Sequence, residues 1–189
     1  MKRIMSFDVS STTVGYSILE YDEKKNNINF VKCSYFKPIK KGTILERLKN
    51  TQDNIQSILE EYKPDEIAIE EITKFMPRLS SAQTIITLAT FNRVVGLTCL
   101  NYLKKSPEMF SVMAMRHGLK LASDLPKKED MPSLVETYLN IKFPFEYKKN
   151  GNIKEESYDM ADACIVGMYY IYKLSGRLDS IKRARDLLK

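Results

Sequence analysis

Along the first third of the chain, apolar and polar positions group into three short runs. "KRIMSFDVS" (2–10), "VGYSILEYD" (14–22) and "INFVKCSYF" (28–36) each read as a strand, the last alternating in part. The polar turn "KKNN" separates the second run from the third, so the three predict an antiparallel meander. The period then lengthens. In "TILERLKNTQDNIQSILEEYK" (43–63), Ile44, Leu45, Leu48, Ile55, Ile58 and Leu59 fall at helical spacing, with Thr43 as N-cap after Gly42. "PDEIAIEEI" (64–72) opens on a turn signal and reads as a short central strand. "SSAQTIITLATFNRVVGLTCLNYLKK" (80–105) predicts a long helix buried on most of its circumference, and "EMFSVMAMR" (108–116) a fifth strand. Two more helices follow. One is "KKEDMPSLVETYLNI" (127–141), with Pro132 tolerated only in its first turn. The other is the strongly apolar "SYDMADACIVGMYYIYKL" (157–174), after the polar loop "EYKKNGNIKEE" and before a basic tail helix.

Three antiparallel strands followed by αβ units predict an α/β protein with a mixed five-stranded sheet and helices on both faces. The 189 residues fit a single domain, 1–189, with no repeat or linker. Hydrophobic content of 43% and charged content of 29% belong to a soluble globular chain, and no apolar run of about 18 residues predicts a membrane span. Cys33, Cys99 and Cys164 have no metal-type spacing and sit in apolar runs, which is expected of reduced core thiols in a cytoplasmic protein.

The net charge of +6 is moderate, but its distribution is uneven. No Asp or Glu occurs from Ile72 to Pro107, while the last fourteen residues hold five basic and two acidic ones. Segregated positive charge suits a polyanion partner. A solvated helix face accounts for it equally well.

Acids appear where a core is expected at three places: Asp8 at the end of the first strand, Glu70 and Glu71 at the end of the fourth, and Asp159 with Asp162 on the apolar helix. Each has a plain alternative, as a turn former, a surface charge or a solvated helix start. Taken together they point elsewhere. An i, i+3 pair shares a helix face. First and fourth strands in this order can lie side by side, bringing their terminal carboxylates together. Hard oxygen ligands of this kind suit Mg²⁺, with Mn²⁺ as a substitute, and four carboxylates can hold two ions across a phosphodiester. There is no GxxxxGK[ST] or GxGxxG phosphate loop. A single histidine, His117, leaves no base for a serine nucleophile, and the clusters of a zinc site are missing.

The pieces "FDVSSTTVGYSIL", "PDEIAIEEI" and "YDMADACIVGMYY", in this order and over nearly the whole length, resemble the RuvC family of Holliday-junction resolvases within the RNase H-like, retroviral-integrase superfamily. The resemblance implies an RNase H-like fold and a homodimeric, metal-dependent endonuclease that cuts four-way DNA junctions by symmetric nicks. By position, Asp8, Glu70, Asp159 and Asp162 match the family acids that hold the metal, and Glu71 falls where no acid is required. Lys128 matches a lysine near the scissile phosphate. Another basic position, eleven residues earlier, lands on His117 beside Arg116. Phe75 stands where the family inserts an aromatic at the junction centre, and Lys74, Arg78, Lys120 and Lys127 join the expected DNA contacts. One departure is the turn after Asp8, "VSS", where the family has Gly. The Lys-, Asn- and Ile-rich composition suits a bacteriophage or low-GC bacterial version. Nucleases of the same fold acting on other branched DNA or on RNA–DNA hybrids, and a non-catalytic junction-binding protein, are the competing readings.

Overall fold

The computed structural model describes residues 1–72, 81–119 and 127–178. Lys74, Phe75, Arg78 and Lys120, and the tail beyond Leu178, lie outside the described residues.

Strands β1 (Lys2–Val9), β2 (Val14–Asp22) and β3 (Asn27–Phe36) form the expected antiparallel meander. Asn26, with φ 51, closes the second turn, and the Asp22 carboxylate accepts from the backbone N–H groups of Lys24 and Lys25. β4 (Glu66–Glu71) runs parallel beside β1, and β5 (Glu108–Ser111) parallel beside β4. The sheet order is β3-β2-β1-β4-β5.

Helix α1 (Ile44–Tyr62) begins at Thr43, as the sequence predicts. Thr43 accepts from the Glu46 N–H, and the Glu46 carboxylate accepts from the Thr43 N–H, a reciprocal capping box. Helix α2 (Ala82–Leu103) packs with α1 on one sheet face; α3 (Val112–Leu119), α4 (Met131–Leu139, Pro132 in its first turn) and α5 (Glu155–Leu174) cover the other.

Strand alternation divides the interior between these layers. Met5, Phe7, Ile18, Ile67 and Ile69 face α1 and α2, while Ile4, Leu19, Ala68 and Phe110 face α5. The three cysteines are buried free thiols.

Two expectations are corrected. The segment 108–116 is not one strand: β5 stops at Ser111, whose hydroxyl accepts from the Ala114 N–H and turns the chain into α3. Nor is α2 buried on most of its circumference. Its fully buried residues are Phe91, Asn92, Val95, Thr98 and Cys99, whereas Ile86 and Leu97 are 59% and 55% exposed. Among the described residues α2 packs through one face on α1, β1 and β4, which leaves its outer apolar stripe exposed.

Candidate active site

Parity carries Asp8 to one side of the sheet. Counting back along β1 by twos gives Ser6 and Ile4, and Ile4 packs in the α5 core, so Asp8 emerges on the α5 face at the strand's C-terminal end. The same count on β4 puts Glu70 with Ala68 on that face and sends Glu71 to the other. There Glu71 pairs with Arg93 of α2 at 2.7 Å. Two adjacent acids are therefore separated by the pleat, and only Glu70 joins the site.

Helix α5 crosses this face very close to the sheet. Gly15, opposite Asp8 in the β1–β2 ladder, lies under the α5 backbone: a Cβ there would stand 2.4 Å from the Asp159 carbonyl oxygen. Further along, a Cβ on Gly167 would stand 2.6 Å from Ser6 Oγ. Ser6 donates to the Ala163 carbonyl at 2.7 Å and lies 2.6 Å from Ser17 Oγ, all fully buried. Small residues permit the approach, and the buried hydroxyls fix its register, since a buried donor left unpaired costs about 1–3 kcal/mol.

This seat delivers Asp159 and Asp162. One carboxylate oxygen each from Asp8, Asp159 and Asp162 lies within 4.8 Å of the others. Glu70 stands beside the trio rather than in it. Burial first, then the Asp162 charge, pushes the Glu70 carboxyl up to about 8. Burial pushes Asp162 to about 6, and burial followed by the Glu70, Asp162 and Asp159 charges raises Asp8 well above the carboxylate range. Burial and mutual repulsion thus oppose ionisation of Asp8, Glu70 and Asp162, and a bound cation would offset both. Hard oxygen donors at this spacing fit a Mg²⁺-type ion.

Lys128, in a short 3₁₀ turn (Lys128–Asp130), donates to Asp159 Oδ1 at 2.9 Å and lies 3.6 Å from Asp162 Oδ2. Burial opposes its charge, but the Asp159 hydrogen bond and the surrounding carboxylates outweigh this and hold its pKa above the ordinary value. Arg116, half-buried on α3, adds a positive charge that acts on Glu70 and Asp162; His117 beside it is exposed, as is Lys127.

The turn after Asp8 needs no glycine. Ser10 Oγ accepts from the Thr12 and Thr13 N–H groups and donates to the Thr13 carbonyl, and no residue from 9 to 14 has positive φ. Two further residues support the site. Buried Asn92 of α2 donates to the Glu70 carbonyl at 2.8 Å. Arg47 of α1 donates to the Ser11 carbonyl at 2.6 Å and the Ile39 carbonyl at 3.0 Å, with its guanidinium over the Phe91 ring. Asn92 had a signal, a lone amide inside "ATFNRVV"; Arg47, an ordinary charged position on an amphipathic helix, had none.

Carboxylates gathered at the strand ends of a β3-β2-β1-β4-β5 mixed sheet, with two more acids on a crossing helix, define an RNase H-like protein. The family profile described as crossover junction endodeoxyribonuclease RuvC matches residues 4–148, and the chain belongs to the RuvC family. It is similar to the RuvC protein of Ehrlichia ruminantium, 29% identical over 173 residues, covering 90% of this chain and 97% of that one. With the RuvC protein of Finegoldia magna it shares 31% identity over 102 residues, 52% of this chain and little more than half, 57%, of the relative. The structure of T. thermophilus RuvC in complex with Holliday junction substrate superposes with a TM-score of 0.68 over 93% of this chain and 97% of that one, at 14% identity, a likeness of fold.

Proposed function

We propose that this chain is a metal-dependent, structure-selective endodeoxyribonuclease that resolves four-way DNA junctions by paired nicks, in the service of recombination and repair. The observation that carries the reading is the convergence of Asp8, Asp159 and Asp162 within 4.8 Å, in a chain of the RuvC family. Asp8, Glu70, Asp159 and Asp162 would hold Mg²⁺, with Mn²⁺ as a substitute, and their number suits two ions. When bound, the ion supplies Lewis-acid activation of water and charge stabilisation at the phosphodiester. The protein's own part is to hold four acids at fixed spacing on a rigid sheet and helix, and to keep Lys128 and Arg116 at hand for the non-bridging phosphate oxygens. Arg116, whose charge acts on Glu70 and Asp162, is proposed as a DNA contact, together with His117, Lys127, Lys74, Phe75, Arg78 and Lys120 from the sequence.

Paired nicks need two active sites, hence a homodimer. The exposed α2 stripe of Ile86, Leu97 and Leu100 is the proposed seat of the second copy. Beside it, Leu97, Leu100, Pro107 and Met109 line a shallow groove of about 290 Å³.

The test is cleavage of four-way, three-way and linear DNA by wild type and Asp8→Asn, in Mg²⁺ and in EDTA. Wild type is expected to cut the four-way junction in Mg²⁺ alone. Asp8→Asn is expected to bind it and lose at least about a hundredfold in rate. Equal rates on linear duplex would remove junction selectivity, and undiminished cutting by Asp8→Asn would remove the site.

A further inference from the structure

We propose that the cleft next to the acids is a second subsite, which takes the sugar–phosphate of a nucleotide flanking the scissile phosphate, with Lys40 and the Thr12 hydroxyl as its phosphate contacts. This rests on the reading of the chain as a DNA nuclease.

The cleft measures about 610 Å³ and opens directly onto Asp159 and Lys128, so whatever fills it is continuous with whatever occupies the acid site. That volume lies within the range of about 300–1,000 Å³ typical of small-molecule sites and is large enough for a nucleotide. One wall is the β1–β2 turn, with Ser10, Thr12 and Thr13; another is the segment after β3, with Lys37 and Lys40. Hydroxyls, backbone amides and lysines are the groups that bind a nucleic-acid backbone.

The charges assign the roles. Most of the carboxylates around the cleft already have cations. Lys37 pairs with Glu156, Lys148 with Glu155 at 3.7 Å, and Lys128 with Asp159. Among the described residues, Lys40 makes no ion pair, and its exposed ammonium lines the cleft. Of the carboxylates lining the cleft, Glu129, next to Lys128, makes no ion pair among the described residues, so an entering phosphate is driven to the Lys40 end. Ser10 Oγ is consumed in closing the turn, whereas Thr12 is exposed, with its hydroxyl 3.2 Å from Ser10 Oγ at the cleft mouth.

The cleft is also preformed. Arg47 bridges its two walls through the Ser11 and Ile39 carbonyls. A pocket held open before binding saves the ordering cost that a flexible basic loop would incur. Arg47 is thus a positioning residue for the subsite.

The test measures junction binding by anisotropy in EDTA across a salt series, with wild type, Lys40→Gln, and Lys24→Gln on the β2–β3 turn at the far end of the sheet. Losing one phosphate contact is expected to lower the slope of log K against log salt by about 0.7–0.9, and Lys24→Gln to leave it unchanged. In a second arm, single phosphates flanking the cleavage site are neutralised as methylphosphonates. One position is expected to weaken wild type and to have no further effect on Lys40→Gln, the signature of a direct pair. An unchanged slope in Lys40→Gln, or losses additive at every phosphate, would overturn the subsite while leaving the nuclease reading intact. A wild type that neither binds nor cuts junctions would overturn that reading and the subsite with it.

Discussion

Gly15 and Asp159 are in van der Waals conflict with any side chain between them: the hydrogen on Gly15 occupies the space where a Cβ would stand 2.4 Å from the Asp159 carbonyl oxygen. The obstacle is helix backbone, which cannot rotate away. Gly15→Ala must therefore lift the first turns of α5 or distort β2. It is expected to cost about 1–3 kcal/mol, read by thermal or urea denaturation. Because the displaced turns carry Asp159 and Asp162, junction cleavage should fall by more than about tenfold, in line with the steep cost of misplacing catalytic groups. Wild-type cleavage in a folded Gly15→Ala protein would show that the close approach is incidental.

The sheet pleat separates two neighbouring glutamates into different roles. Glu70→Gln is expected to reduce junction cleavage assayed in Mg²⁺ by about a hundredfold or more. Glu71→Gln breaks only a partly exposed pair with Arg93 and should stay within about threefold of wild type, in rate and in stability. Side-by-side single-turnover assays decide it, and reversed effects would move the site to the α2 face.

The acids also make stability depend on pH in a particular sense. Glu70 is raised from 4.5 to about 8 and Asp162 from 3.8 to about 6, in each case chiefly by burial. A carboxyl raised by folding holds a proton that the unfolded chain has released. Its stabilising effect is complete below the unfolded pKa and disappears as pH rises through the folded one. The metal-free protein should therefore lose on the order of a few kcal/mol between about pH 4 and pH 8. Mg²⁺ should restore more of the Tm at about pH 8 than at about pH 5.5, because binding requires the deprotonated acids. Melting curves in EDTA and in Mg²⁺ that run parallel across this range would contradict the cluster's role.

Asn92 connects α2 to the Glu70 carbonyl from inside a core. Asn92→Leu removes the hydrogen bond to that part-buried carbonyl and is expected to cost about 0.5–1.5 kcal/mol. Its effect on cleavage should exceed that of Val95→Ala, a cavity mutation one turn away with a similar loss of stability. Matched Tm values with matched rates would reduce Asn92 to packing alone.

If the outer stripe of α2 seats a second copy, Leu97→Glu should shift the protein from dimer to monomer in sedimentation at micromolar concentration and uncouple the two nicks. An unchanged sedimentation profile would remove α2 as the proposed seat of a second copy.

Much of this was legible in the chain itself. Three strand-like runs and the "KKNN" turn located the meander, the Thr43 cap marked α1, and acids interrupting apolar runs at Asp8, Glu70 and Asp159–Asp162 marked the candidate site. What was hidden depended on tertiary partners. The pattern "EMFSVMAMR" fits a strand as well as a strand followed by a helix, and only the Ser111 cap decides between them. The apolar circumference of α2 says that something covers it, not what. Similarly, "VSS" after Asp8 looked unfavourable for a tight turn because the Ser10 hydroxyl replaces, through three hydrogen bonds, the conformational freedom that a glycine would have supplied.

The division of the interior by the sheet has a mechanical consequence. Glu70 is braced by Asn92 from the α1–α2 side, while Asp159 and Asp162 ride on a helix anchored by Ser6 and Ser17 from the opposite side. The jaws that set the spacing between these acids thus belong to two separately packed layers with the sheet as their spacer. A loss of packing in either layer, however distant from DNA, is transmitted as a change in the gap between the jaws, so the spacing of the acids gauges how well both layers are packed.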